Sequence, residues 1–425
     1  MMQKEQNDVR QQNLVANVMD GAMFAFGMSF VSLQTVLPVF VKRIGGSSFA
    51  VGLIPVLWTA GFNFPQILVA NYVQHFPYKK KLFLKTALVQ RVPWFLLALV
   101  AFFIIDQVGS SGGAVLFLSL FTVAAVAGSV NFPIWFDLIA KLTPVDVRGR
   151  LFAARNLVGG VLGVIGGWVV KRVLDGIAYP ASYGVLFLLA ASAMMISYAA
   201  LLLLREETPS TVVEQTHFVD YYRRLPRILK QKDFRNFLIS DALLIAATMA
   251  GAFYAVHAIG KFRLTDAVAG IFTSVMMGSM IVGNTFFGLL ADRYGHKLNL
   301  ILSAASTAVA CLAALVAPSL EVYLIVFVGS AFQVGLSGIS RFSLVAELCT
   351  EEERPTYVAL TNMVTAPFVF FGVLAGGIAG SYGYEPVFVI AGLLALSSAL
   401  WLAFKVEEPR NKAAISLVQS VQYES

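Results

Sequence analysis

Apolar runs of membrane-crossing length, parted by short polar breaks, occupy nearly the whole chain. Twelve can be marked off by their polar punctuation. They are residues 14–41, 48–72, 82–105, 114–142, 148–174 and 182–204, then 234–260, 266–290, 298–317, 321–347, 355–380 and 385–404. About 20 apolar residues in a helix cross the ~30 Å hydrocarbon core of a bilayer. Only helices and closed barrels satisfy their backbone there, and continuous apolar runs exclude the alternating barrel pattern. The pattern predicts an all-α membrane protein with twelve transmembrane helices. The first thirteen residues are polar, and the run behind them is too long for a signal peptide and lacks a cleavage site.

Composition agrees. Of 425 residues, 58% are hydrophobic and 13% charged, and the mean hydropathy is +0.76. A soluble domain of this length needs more charged surface. The basic residues are unevenly placed. With the N-terminus inside, 23 of the 31 Lys and Arg fall on inward segments, six on outward ones, and Arg91 and Arg341 within spans. The bias predicts an inner-membrane protein with both termini cytoplasmic. The net charge of +7 reflects this bias and gives no sign of nucleic acid. Cys311 and Cys349 stand in or beside different helices and are expected as packing residues without a disulfide.

The longest polar connection, 205–233, divides the chain into a tail (1–13), a first bundle (14–204), a linker, a second bundle (234–404) and a second tail (405–425). In the linker Phe218, Tyr221, Tyr222, Leu225, Ile228 and Leu229 recur at helical spacing among Arg223, Arg224, Arg227 and Lys230. Such a helix would lie along the inner membrane surface and tie the halves together. The halves resemble each other. Asp20 and Asp241 open the first and seventh spans, and Ala70-Asn71 and Ala291-Asp292 close the second and eighth, at an offset of 221 residues both times. Asp137 before Arg148-Gly149-Arg150 parallels Glu347 before Arg354, and glycine-rich helices follow each. Repeated halves place a substrate path at their interface.

Gly288-Leu289-Leu290-Ala291-Asp292-Arg293-Tyr294-Gly295-His296-Lys297 resembles the hallmark loop of the major facilitator superfamily, matching its G-x-L-A-D-R-x-G-x-K pattern in full. With the twelve spans and the central linker, the resemblance covers essentially the whole chain. It implies two pseudo-symmetric six-helix bundles and a usually monomeric transporter. Gly288 is expected to let two helices approach closely. In the family the loop holds one conformation and releases it in another, a gating role carried here onto Gly288, Asp292, Arg293, Gly295, Lys297 and Arg354. Three departures stand beside it. The first-half counterpart has Asn71 for Asp and lacks its glycines. The fourth span has Asn131-Phe132-Pro133-Ile134-Trp135-Phe136-Asp137 where many proton-coupled members carry an arginine. The fifth span lacks the Gly-Pro pair of antiporters.

Ionisable groups within a span are costly unless they line water or find partners, so each is a functional candidate. The resemblance implies that the first, fourth, seventh and tenth helices line the cavity. Asp20 shares a face with Gly27 and Gln34, Asp241 with Thr248, and Gln333, Ser337 and Arg341 form a stripe at i, i+4 and i+8. A carboxylate that binds a proton in one state and releases it in another couples transport to the gradient, which makes Asp20 and Asp241 the candidate carriers. Either can equally be held in a buried pair with an arginine such as Arg91. Arg341 suits an anionic substrate group, or a structural pair with Glu347 or a neighbouring helix. Asp137 and Arg155 read as a clasp at the cytoplasmic mouth, and His257 as an ordinary polar contact. Arg91, Trp135 and Tyr254 complete the cavity candidates, with Trp58 and Phe26 shaping an apolar wall.

There is no Walker loop, no dinucleotide fingerprint behind a strand and no histidine–cysteine cluster. No enzyme, cofactor or metal is expected. The expectation is a secondary transporter moving a small organic solute by alternating access among membrane lipids, with protons the preferred coupling ion. An uncoupled facilitator and a lipid translocase or transporter-like receptor are the alternatives.

Overall fold

The computed structural model describes residues 2–73, 76–206, 209, 227–350 and 353–409. Among these it contains fifteen helices of eight or more residues and no strand. They are α1 (Met2–Phe30), α2 (Val36–Arg43), α3 (Ser48–Val73), α4 (Lys80–Phe103), α5 (Gly109–Leu142), α6 (Val145–Gly176) and α7 (Ala181–Leu202). After the linker come α8 (Lys232–Ala247), α9 (Tyr254–Phe262), α10 (Val268–Tyr294), α11 (His296–Val316), α12 (Leu320–Glu347), α13 (Arg354–Thr365), α14 (Phe371–Tyr382) and α15 (Glu385–Lys405). Ten helical segments among the described residues are long and apolar enough to cross a membrane, and Ser48–Asn63 is a shorter apolar helix. Most of the amphipathic segment expected in the linker, residues 218–226, lies outside the described residues.

Three runs expected as single spans are broken. The first is interrupted at 31–35, the seventh by a 3₁₀ turn over Thr248–Ala252, and the eleventh by another over Ala366–Phe370. A hydroxyl bonds back to the backbone at each break. Ser29 Oγ donates to the Phe26 carbonyl at 2.6 Å, Thr248 Oγ1 to that of Ile245 at 2.7 Å, and Thr365 Oγ1 to that of Thr361 at 2.7 Å. Such bonds compete with the helical ladder and bend helices. In the eleventh span Pro367 adds a missing N–H and a ring clash with the preceding turn.

By contact the chain forms two compact units. The first comprises residues 1–215 with 252–281, the second 216–251 with 282–425. In the first, α1 packs on α6 and α7, α3 on α5, and α4 on α5 and α7. Small residues set these distances. Gly159 and Gly166 of α6 face Ala22, Ala25 and Ser29 of α1. Its other glycine face meets the beginning of α10, where a Cβ on Gly167 would fall 2.6 Å from the Gly270 carbonyl oxygen. The two helices therefore touch backbone to backbone, as small residues permit in membranes. Nearby, Thr35 and Thr273 hydroxyls share a 2.6 Å hydrogen bond, and Tyr183 donates to Asp266 at 3.1 Å. In the second unit, α11 packs on α12 and α15, and α8 on α15. Phe234, Phe237, Leu344 and Leu360 are among its fully buried side chains.

Candidate functional site

Asp20 and Arg155 sit at the centre of the first unit. Arg155, on the face of α6 that packs against α1, donates through both Nη atoms to Asp20 Oδ2 at 3.1 Å. Its Nη1 also meets the Asn17 carbonyl oxygen at 2.5 Å and the Asn17 side chain. The guanidinium lies where a side chain at position 21 would stand: a Cβ on Gly21 would be 2.5 Å from its Cζ. On the other oxygen, Ser197 Oγ of α7 donates to Asp20 Oδ1 at 2.7 Å. Ser197 in turn accepts from Arg91 Nη2 at 2.9 Å. The remaining bonds of Arg91 go to the Met194 and Ala87 carbonyls, both at 2.7 Å. Its guanidinium also lies 5.5 Å from the Tyr198 ring centre. Arg91 is 2% exposed and Asp20 4%, so the two charges meet here with little access to water.

This cluster forms part of the wall of a cavity of about 340 Å³. Aromatic rings supply much of the rest. Trp58 stacks on Phe62 with centroids 6.3 Å apart, Phe62 meets Phe132 edge-on at 5.4 Å, and Phe132 lies 5.6 Å from Trp135. Arg155 sits over the Trp135 ring at 5.0 Å, a cation–π contact. Gln90 and Asn131 face the same space, joined by a 3.1 Å bond from Asn131 Nδ2 to Gln90 Oε1. Thr86 holds the Asn131 oxygen at 2.8 Å. Arg91 and Trp135, both singled out in the sequence, are thus brought together with Asp20. Asn17, Ser197 and Gln90 were not foreseen.

The second unit repeats the theme with other helices. Asp241 of α8 accepts from Arg341 Nε of α12 at 2.8 and 3.0 Å. Arg341 also donates to Asn362 at 3.1 Å and to Thr365 at 2.9 Å. Its partner is therefore Asp241 and not Glu347. The expected stripe on α12 is split. Ser337 turns to α11, sharing a 2.8 Å bond with Ser303, whose hydroxyl also reaches the Gln333 carbonyl at 3.0 Å. Thr248 spends its hydroxyl on the helix break, and Tyr254, at the start of α9, is buried. Gln34 stands in the break after α1, with its Oε1 buried and unbonded.

Two expected contacts are corrected. Asp137 and Arg155 do not form a clasp. Asp137 pairs with Lys79, while Arg155, carried inward on the glycine face of α6, reaches Asp20. Gly288 is not a close-approach site, since a Cβ there would meet nothing within 4 Å. The rest of the hallmark loop is a tight turn. Gly295, at φ +90°, joins α10 to α11 in a conformation that other residues rarely adopt. Asp292 and Arg293 are exposed at the end of α10, where Arg293 lies over the Tyr294 ring at 5.3 Å, and Arg354 is exposed at the start of α13. Lys297 donates to the Ala403 carbonyl at 3.1 Å.

In the first unit, Glu206 organises the lysine-rich start of α4. It accepts from the backbone N–H of Lys79 and Lys80 at the start of α4 and from Lys141 Nζ at 2.7 Å. Burial pushes its carboxyl up, but the bonds from Lys141 and from the Lys80 and Lys79 amides bring it below its ordinary value of 4.5. Burial, then Lys141, push the Lys79 ammonium down, with Glu206 pulling the other way.

These features define a polytopic helical membrane protein of transporter architecture, with a buried aspartate–arginine pair in each unit. Residues 237–420 match the Major Facilitator Superfamily model. Over 94% of its length the chain has the fold of solved transporters. The nucleoside transporter NupG superposes with a TM-score of 0.70 at 14% identity, covering 94% of this chain and 100% of that one. The D-xylose-proton symporter gives 0.66 at 14% identity, with 94% and 98% covered. A bacterial homolog of the human lysosomal transporter Spinster gives 0.65 at 11%, with 94% and 95% covered. No curated protein matches the chain in sequence. The second half of the chain is thus similar in sequence to the major facilitator superfamily, and the chain shares the fold of these transporters.

Proposed function

We propose that the protein is a secondary active transporter of the inner membrane that moves a small organic solute by alternating access, with protons as the coupling ion. The observation that carries this reading is the 340 Å³ cavity with Asp20, Arg91 and Arg155 in its wall. Its size is that of a small-molecule pocket, largely apolar with a few convergent polar groups. The solved transporters of the same fold, one of them a proton symporter, support the class. The bias of Lys and Arg supports cytoplasmic termini, and a monomer is the proposed unit.

Coupling follows from the pairs. Protonating Asp20 removes the charge that holds Arg155 on α1, so proton binding and release of α6 from α1 become one event. Asp241 stands in the same relation to Arg341 and α12. Gly295, Asp292, Arg293, Lys297 and Arg354 are the proposed gating residues of the second half.

The test is uptake of a metabolite library into proteoliposomes with and without an inward proton gradient. Accumulation against a gradient that an uncoupler abolishes is expected. Downhill uptake indifferent to the uncoupler would replace the reading with an uncoupled facilitator. Movement of labelled lipid between leaflets, with no solute uptake, would replace it with a lipid translocase.

A further inference from the structure

We propose that the first-unit cavity is a binding site for a planar aromatic monocarboxylate, held by Arg91 at one end and by stacked rings along its length. The inference rests on the transporter reading and names its substrate class.

The charge balance of the cavity is uneven. Asp20 is the single carboxylate in its wall, against two guanidiniums. Arg155 takes Asp20 directly, whereas Arg91 reaches it only through the Ser197 hydroxyl. No carboxylate lies within ion-pair distance of Arg91 among the described residues, and its three bonds go to two carbonyls and a hydroxyl. A guanidinium has five N–H donors in a planar fork, so two remain uncommitted here, one on each Nη. An unpaired cation within a membrane span is costly, and a second carboxylate at this place removes the cost. One free N–H on each Nη gives Arg91 the donors that a carboxylate accepts. Organic cations are disfavoured by the same surplus.

The remainder of the wall selects the body of the molecule. Trp58 and Phe62 lie nearly parallel, at 17° between ring planes, and Phe132 and Trp135 continue the aromatic surface. Flat apolar faces of this kind favour a planar ring by stacking, beyond the area they bury. Gln90 adds directionality. Its Oε1 is taken by Asn131, but its Nε2 makes no hydrogen bond to any described residue. It can donate to a hydroxyl or carbonyl on the far side of the ring. A volume of 340 Å³ is at the small end of ligand pockets, which suits one or two fused rings.

The decisive experiment is calorimetric titration of the wild-type protein in detergent with three matched series. These are indole-3-acetate and phenylacetate, their neutral amides and their amine counterparts, with cyclohexylacetate as the non-aromatic acid. The aromatic acids should bind at least tenfold more tightly than their amides and than cyclohexylacetate, and the amines not at all. Arg91→Gln should bring acid and amide within about threefold of each other; should this variant not fold, the wild-type series decides alone. Equal or tighter binding of amides or amines overturns the charge assignment, and equal binding of cyclohexylacetate overturns the aromatic one. No binding of either aromatic acid at millimolar concentration also overturns the proposal. Uptake into proteoliposomes separates this from the parent reading. If neutral compounds bind and are carried, the substrate class falls and transport stands. If the acids bind and no solute moves, the site stands and transport falls.

Discussion

Replacing Asp20 by Asn is the most informative perturbation of the first unit. The side chains of Asp20 and Arg155 are only 6% and 11% exposed, and they touch at 3.1 Å. Asn keeps the shape, and its single oxygen can accept either from Ser197 or from Arg155, but it leaves two buried guanidiniums without any carboxylate. Removing one member of a buried pair costs about 3–5 kcal/mol, mostly as the charge left behind. The retained neutral bond places Asp20→Asn near the lower end, about 3 kcal/mol. Arg155→Gln strands Asp20 instead, though Ser197 and, behind it, Arg91 remain, so its cost should be smaller, about 2 kcal/mol. The double variant removes both members of the direct pair and strands only Arg91, so its loss should fall short of the sum of the single losses by about 2 kcal/mol. Thermal and SDS-titration unfolding of the purified protein in detergent reads all four corners of this cycle. Additivity within about 0.5 kcal/mol would mean the pair is not an energetic unit, and with it the argument that protonating Asp20 frees α6 would fail.

Glu206→Ala should cost about 2–4 kcal/mol, because two N–H groups at the start of α4 and the Lys141 ammonium lose a charged acceptor; Glu206→Gln should cost less than half of that, read by the same unfolding assay. The folded-state value of Glu206 is depressed below 4.5, so its contribution is complete above that pH and is lost as pH falls through the lower folded value; the gap between wild type and Glu206→Gln should close in acid, and a gap that widens there would refute it. Gly167→Leu should disrupt the packing of α6 on the start of α10, since even a Cβ has only 2.6 Å to the Gly270 carbonyl oxygen; cysteines introduced at 35 and 273 should then cross-link less readily than in an otherwise wild-type background. Asp266→Asn should shift stability by under about 1 kcal/mol, as expected of a partly exposed pair with Arg43 at 3.7 Å.

Hydropathy made the membrane class legible, because bilayer thickness acts on composition directly, whereas the loop at 288–297 was legible only through its resemblance to a family pattern. The first two helix breaks were not legible, because each turns on a Ser or Thr hydroxyl bonding the backbone carbonyl three residues earlier, a choice without a hydropathic signature, whereas Pro367 in the eleventh span was a readable sign. The partner of Asp20 was readable and was missed. Arg155, Gly159 and Gly166 lie at i, i+4 and i+11, one face of α6, and glycines at that spacing mark the face that meets another helix. Reading Arg155 by its nearness to Asp137 at one end of the bundle, rather than by its face, placed it wrongly. Ser197, which bridges Arg91 to Asp20, is one of three serines in α7, and nothing in the chain distinguishes it from a packing serine.

The two aspartates occupy equivalent places in the repeat, yet they are answered differently. Asp241 meets one guanidinium, whose other nitrogens are occupied by Asn362 and Thr365. Its charge is matched one to one, so a proton that binds it weakens its bond to Arg341. Asp20 faces two guanidiniums from two helices, one in direct contact and one behind a serine. That surplus costs stability unless an anion joins it, so the first half is better poised at rest to receive an anionic solute than the second. Division of labour follows from the arithmetic of charge: a balanced pair is suited to answer a proton, and an unbalanced one a substrate. On this argument Asp241→Asn should weaken proton dependence more than solute affinity, and Arg91→Gln should do the reverse. Equal effects of both substitutions on both quantities would show that the halves work as one site rather than two.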